Sequence, residues 1–511
     1  MSNEKTVPEE QPLQEKESST ELKDKTWYEK LCYLKTNITV EPIMAGLVIP
    51  SMLARLAVQN LNLEKTCRIK FQLGEEACTS LIKKEGNFTH YESDIQKTIA
   101  SIEQWKSVIQ TSIPLFLVIF MGAWSDRTGN RKLCILLPIL GELLTCISNL
   151  ISTIFFDEIP VEVTMFFEAL FPALTGGWVM MYLGVFSYIS DITDNESRTF
   201  RVGLVNLCMT AGIPIGTALS GILLRLLGYY GIFLISGTIC LLNFVYGFFC
   251  LKSNTKLNNN DNEKKDPITC MTMLSLVKDT AMVAFKKREG NTRKKIILTL
   301  LVVAILYGPG HGERIVTYMY LRYKLNWDAV MYSIYSTYSI LTHSIGALFS
   351  ISVFSKCWGF HDSMLCLISS VSKLFGSTCV AFVHTNFEMF MVPIVEILNA
   401  TTWTSLRSMA TKLVTSEELG KINSLFSLVE TAAALIFDPT YSALYKRSID
   451  TFAGTVFIFS GFMILPAISL LLWFFVQHRR ELKQTKTEAT LEAGDTHSKS
   501  KDSDKPTDQA I

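Results

Sequence analysis

The chain has 511 residues, 49% of them apolar and only 19% charged, with a formal net charge of +1. Mean hydropathy is positive, at +0.27, and the charge is gathered near residues 1–35, 60–106, 252–295 and the C-terminus. The apolar runs between these blocks can each cross a hydrocarbon core of about 30 Å. A soluble enzyme, a secreted disulfide scaffold and a nucleic-acid binder are thereby excluded.

Residues 1–36 are polar and read as a disordered cytoplasmic tail without a cleavable signal. Twelve helical spans are expected near 38–58, 106–124, 133–156, 163–190, 202–226, 231–251, 296–321, 329–354, 363–383, 387–409, 421–445 and 450–477. The fold class is an all-α membrane protein with two six-helix halves, 37–251 and 296–477. Between spans 1 and 2 lies an outer loop, 59–105, holding Cys67, Cys78 and the acceptor tripeptide Asn87-Phe88-Thr89. A glycan on Asn87 and a Cys67–Cys78 disulfide are expected, because that side is oxidising. Orientation follows from short loops: Arg127, Arg131 and Lys132 mark one as cytoplasmic, Arg198 and Arg201 another, whereas 157–162 has no basic residue. The linker 252–295 is cytoplasmic, with an amphipathic segment at 271–287 on the inner leaflet; residues 478–511 read as a disordered cytoplasmic tail.

Several charged residues fall inside spans, where they are costly and mark function by default. They are Glu142, Glu313, Glu396 and Glu430, with Arg407 at the inner end of span 10. The run Gly308-Pro309-Gly310-His311-Gly312-Glu313 is expected to break span 7 near mid-membrane, leaving His311 and Glu313 on the solute path. Arg55 and Glu168 read as structural groups near outer ends, and His343 as a satisfied core histidine. Acids outnumber bases in these spans, which suits proton uptake or a cationic or zwitterionic solute. Span 5 carries Gly212-Ile213-Pro214-Ile215-Gly216 and then Gly221, a spacing that permits close helix contact. No Walker motif, pore-loop repeat or zinc-spaced Cys/His cluster occurs, so no cofactor, metal or enzymatic activity is expected.

The turn between spans 2 and 3 reads Gly122-Ala123-Trp124-Ser125-Asp126-Arg127-Thr128-Gly129-Asn130-Arg131-Lys132. In sequence and place it resembles the signature of the major facilitator superfamily. The resemblance makes Gly122, Asp126, Arg127, Gly129, Arg131 and Lys132 a conformational-switch motif. The segments 37–42, 122–126, 187–191 and 197–201, and the region from Leu406 to Ser427, are similar to solute carrier family 46, the proton-coupled folate transporter family. Asp191, Arg198 and Arg201 are then candidates for a cytoplasmic gate. The resemblance implies alternating-access import of a folate-like or muropeptide-like solute, coupled to protons. Two positions depart from the pattern: Asn206 replaces a span 5 glutamate, and Asn130 replaces a motif arginine. The expected partners are a small organic solute, protons and the lipid bilayer, without nucleic acid, and the expected state is a monomer. The expected site is the plasma membrane, with a lysosomal or endosomal membrane as the alternative. The competing functional reading is a channel or receptor-like polytopic protein without active transport.

Overall fold

The computed structural model describes residues 39–84, 89–193, 195–251, 282, 291–415 and 418–502. Asn87, the N-terminal tail and the amphipathic segment 271–287, Met282 apart, lie outside the described residues.

The first half opens with α1 (Glu41–Lys65), which continues through a wider π-helical turn at Thr66–Lys70. The short α2 (Glu75–Lys83) follows, then α3 (Thr89–Thr128), α4 (Arg131–Ile154), α5 (Val161–Thr175), α6 (Gly177–Ile192) and α7 (Asn195–Cys250). The second half contains α8 (Thr292–Leu325), α9 (Ala329–Phe349), α10 (Asp362–Phe382), α11 (Asn386–Val395), α12 (Thr401–Lys412), α13 (Leu419–Phe452) and α14 (Thr455–Asp502). Ten helices among the described residues are long and apolar enough to span a membrane. One of them is α7, whose backbone leaves helical geometry at Gly228 (φ 64°, ψ −170°), so it supplies two crossings. The short pair α11 and α12 supplies one more, consistent with twelve. Span 4 is itself divided, between α5 and α6, where Gly176 and Gly177 have φ of +80° and +51°; only glycine takes such angles without strain.

Three expectations change. The segment 59–105 is mostly helix rather than loop, because α1 runs on to Lys65 and α3 starts at Thr89. Ile95, Ile99 and Ile102 form a buried stripe at helical spacing on α3, and Asn60 and Thr66 bond back to the carbonyls of Leu56 and Asn62. The tail after His478 continues as helix to Asp502. Its Glu, Lys, Ala and Leu residues favour helix, and propagation from a formed span needs no new nucleus. Span 7 is unbroken through Gly308–Glu313. Its glycines serve packing: a Cβ at Gly308 would lie 2.3 Å from the Phe437 ring, and one at Gly312 would lie 2.4 Å from that of Tyr441. The span 5 glycines act likewise. A Cβ at Gly216 would meet the Ile49 carbonyl of α1 at 2.7 Å, and one at Gly221 the Ala329 carbonyl of α9 at 2.5 Å.

The apolar cores show how the halves meet. At the end carrying the motif turn, each half has its own core. One gathers Ile43, Leu47, Ile135, Met181 and Val185. The other gathers Leu300, Val303, Leu406, Phe426 and Leu471. At the opposite end a single core joins Leu56, Leu63, Ile95 and Ile99 to Tyr318, Tyr441, Tyr445 and Ile449. Large apolar side chains such as Phe116, Leu226, Phe249 and Leu348 are exposed on the perimeter, as a lipid-facing surface requires.

Candidate functional site

A cavity of about 540 Å³ lies between the halves. Its walls include Ser51 and Arg55 of α1, Glu142 of α4, Trp178 of α6, His311 of α8 and Asp438 of α13. Both halves therefore contribute chemistry to one space.

His311 and Glu313 do not share that space. Two residues along a helix are rotated by about 200°, and with α8 unbroken they face opposite ways. His311 keeps the cavity side, with Nδ1 2.7 Å from Asp438 Oδ1 and its ring stacked on Tyr307 at 5.6 Å. Glu313 turns outward into its own half. Its Oε2 accepts from Lys373 Nζ at 2.7 Å and its Oε1 from Ser377 Oγ at 3.0 Å. Lys373 also reaches Glu396 Oε1 at 3.1 Å, and His343 Nε2 stands 3.8 Å from Glu396 Oε2. Glu396 fits there because residue 376 is glycine: a Cβ would fall 1.8 Å from Glu396 Cγ. Lys373 and Asp438 were missed in the sequence reading. The signal that marks them is the same intramembrane charge that marked Glu313.

Arg407 pairs with Glu430 at 3.4 Å, lies over the Phe426 ring at 4.9 Å, and is half exposed. Neither residue lines the main cavity, and Arg407 does not reach Glu313. In the first half, Lys106 meets Glu168 at 3.0 Å and Glu103 at 3.4 Å, while Asn62 Nδ2 lies 3.2 Å from both Glu168 oxygens. Glu168 is thus part of the cavity wall. Glu142 faces the cavity beside Ser51, with no cation within salt-bridge distance among the described residues. Asn206, also exposed, is absent from the lining.

The motif turn is tied into its own half. Gly129 takes φ +69°. Arg131 Nε lies 2.9 Å from Asp191 Oδ2, and its Nη1 donates to Ser125 Oγ at 3.2 Å. Lys132 donates to the Phe248 carbonyl and lies 4.6 Å from that ring's centre. Gly122 packs toward Leu183 of α6. The side chains of Asp126 and Arg127 are outside the described set. The gate candidates separate: Asp191 takes Arg131, Arg198 donates to the Ser190 carbonyl at 3.0 Å, and Arg201 forks onto Glu41 at 3.0 and 3.3 Å.

Polar contacts joining the halves cluster at the other end. Buried Arg322 of α8 lies 3.0 Å from Glu92 of α3 and donates to the carbonyls of Leu81 and Ile82 at 2.6 and 3.2 Å. Tyr318 donates to Asn60 at 2.9 Å, Tyr445 to Gln96 at 2.6 Å, and Lys97 pairs with Asp450 at 2.5 Å. Lys84 pairs with Glu92, and burial with the neighbouring Arg322 lowers its pKa to about 8. Cys67 and Cys78 form a disulfide at this same end, with Cα atoms 5.8 Å apart. The cavity is therefore sealed on the disulfide side.

Residues 99–437 match the model of the Major Facilitator Superfamily. A Drosophila melanogaster protein described as a probable peptidoglycan muropeptide transporter SLC46 is 23% identical over 452 residues, covering 86% of each chain. The Mus musculus lysosomal proton-coupled steroid conjugate and bile acid symporter SLC46A3 is 24% identical over 449 residues, covering 86% of this chain and 94% of its own. The Rattus norvegicus proton-coupled folate transporter is 25% identical over 358 residues, covering 70% of this chain and 75% of its own. Among solved structures, the nucleoside transporter NupG aligns with a TM-score of 0.58 at 13% identity, covering 85% of this chain and 98% of its own. A D-xylose-proton symporter aligns at 0.57 with 12% identity, covering 85% and 96%; both show a shared fold. The chain is a multi-pass membrane transporter of the major facilitator superfamily, placed by its relatives within solute carrier family 46.

Proposed function

We propose that the chain moves a folate-like or muropeptide-like organic solute by alternating access, driven by protons, and that the described arrangement is closed outside and open toward the cytoplasm. The observation that carries this reading is the shared core and polar seal at one end of a two-sided cavity, with separate cores at the other. A sealed end favours a transporter over a channel, which needs a continuous path. Coupling falls on the second half. Glu313, Glu396 and Lys373 carry one negative charge in excess when all are ionised, and one proton taken up by either acid balances it. His311 and Asp438 offer a further titratable pair on the cavity wall. The monomer suffices, because one chain builds the whole cavity. The plasma membrane is the proposed site; the name of the mouse relative makes the lysosome the alternative.

The test is uptake by the purified full chain in liposomes, using folate, muramyl dipeptide and taurocholate at an external pH of about 5.5 and about 7.5. Acid-stimulated, protonophore-sensitive uptake of at least one supports the reading. Uptake that ignores the proton gradient for all three removes the coupling.

A further inference from the structure

Arg55 and Arg314 have no role in the networks described above. Arg55 lines the cavity together with Met52, Gln59 and Asn62, spaced as one helix face, and its side chain is exposed. Its expected structural place near an outer end does not hold, because α1 extends beyond it and the Asn60–Tyr318 contact closes the cavity above. Arg314 is likewise exposed. It projects from the face of α8 that carries Tyr307, His311 and Tyr318, three residues that line the cavity. It hydrogen-bonds the Tyr307 hydroxyl and lies within electrostatic reach of Arg55 and Asp438. Asp438 is already held by His311. Among the described residues, neither arginine has a carboxylate within salt-bridge distance.

Two guanidinium groups, one from each half, thus lie within electrostatic reach of one another beside the cavity, neither of them in a salt bridge. Empty, they repel, and the repulsion opposes approach of the halves. An acidic group between them reverses that sign, and the guanidinium fork matches carboxylate or sulfonate oxygens in pairs. Tyr307, Tyr318, Ile315 and Trp178 supply an aromatic and apolar surround. We propose that Arg55 and Arg314 form a clamp, one jaw on each half, that holds the acidic group of the solute and makes closure of the cavity depend on its presence. This rests on the reading of the cavity as the solute path. It also modifies the balance expected from composition: acids outnumber bases in the spans, but two arginines, one from each half, stand at the cavity without a salt-bridge partner, as Glu142 does.

The test uses the full chain in nanodiscs. Thermal-shift titrations compare folate (a dicarboxylate), taurocholate (a sulfonate) and folate dimethyl ester, which lacks the acids. The acids should stabilise the wild type and the ester should not; which acid is stronger identifies the preferred group. Arg55→Gln and Arg314→Gln should each weaken acid binding about 10- to 100-fold, the scale of one charged hydrogen-bonding partner, with Arg55→Lys weakened less. A second readout needs no ligand. Spin labels at Phe200 and Leu419, on the inner ends of α7 and α13, should show a larger short-distance population in ligand-free Arg55→Gln than in wild type. A merely structural arginine would not produce that shift in a folded protein. Equal stabilisation by ester and acids, no stabilisation by any acid, or wild-type affinities and distances in both glutamine variants would overturn the clamp. Proton-driven uptake that survives Arg55→Gln unchanged would sink the clamp and leave the transporter reading intact. Uptake indifferent to pH, with the acid titrations as expected, would do the reverse.

Discussion

Lys373 of α10 and Glu313 of α8 meet at 2.7 Å, away from the cavity that His311 faces. The bridge continues to Glu396, where α11 gives way to the turn before α12, so one lysine ties three spans through two carboxylates. Removing one acid leaves a complete ion pair, whereas removing the lysine leaves two buried acids without a cation. Glu313→Gln should therefore reach the membrane in near wild-type amounts, keep solute exchange and flatten the pH dependence of uptake. Lys373→Met should lose about 3–5 kcal/mol of stability, seen as a lower melting temperature and poor expression. Poor expression of Glu313→Gln with an unchanged pH profile would mark the cluster as purely structural.

The seal at the disulfide end centres on Arg322, whose guanidinium is fully buried against Glu92. Arg322→Ala leaves Glu92 held by Lys84 but takes the donor from the Leu81 and Ile82 carbonyls, and should loosen the closed end, with about 1–3 kcal/mol lost from that state. Ile99 is 6% exposed and lines the cavity. A cysteine placed there should react with an impermeant maleimide from outside in the Arg322→Ala background and stay protected otherwise.

Glycines in span 7 offer an internal control. Gly312→Ala would press a methyl into the Tyr441 ring and should cost about 1–3 kcal/mol, read as a reduced melting temperature. Gly310→Ala should be tolerated, since the nearest atom to its added Cβ is Trp403 Cζ2 at 4.0 Å. Equal effects at both positions would return a backbone role to the Gly-Pro-Gly run.

The Cys67–Cys78 disulfide closes a short loop nine residues before the acceptor Asn87 in the sequence. Asn87→Gln should raise gel mobility to that of enzymatically deglycosylated protein if, as proposed, this end faces outside. Cys67→Ser should cost about 2–3 kcal/mol, the scale for so short a loop, and free Cys78 for alkylation.

Much of the fold was legible because hydrophobic runs report spans directly and the motif turn is a local pattern. The outer extensions of α1 and α3 were not legible. Their buried stripes are interrupted by polar residues such as Asn60, Glu92 and Gln96, which reach Tyr318, Arg322 and Tyr445 on other helices. The site was legible as a set of charges but not as pairs. Glu313 and Lys373 lie 60 residues apart, and nothing local to either says that they meet. The glycines around His311 read as a helix break because their reason, the rings of Phe437 and Tyr441, lies on α13. Arg55 read as structural because the length of α1 was underestimated.

Reciprocal motion of the two ends is the most direct test of alternating access. Exposed Cys250, Cys357 and Cys379 would be replaced by serine, and the full chain labelled in pairs at exposed positions. Phe200 and Leu419 report the inner ends of the halves, and Val163 and Phe387 the outer ends. Distances would be measured by double electron–electron resonance at pH of about 7.5 and 5.5. The account predicts opposite changes: wherever the outer pair gains a long-distance population, the inner pair gains a short one of matching size. Two pairs that stay fixed under both conditions, or that lengthen together, would contradict it.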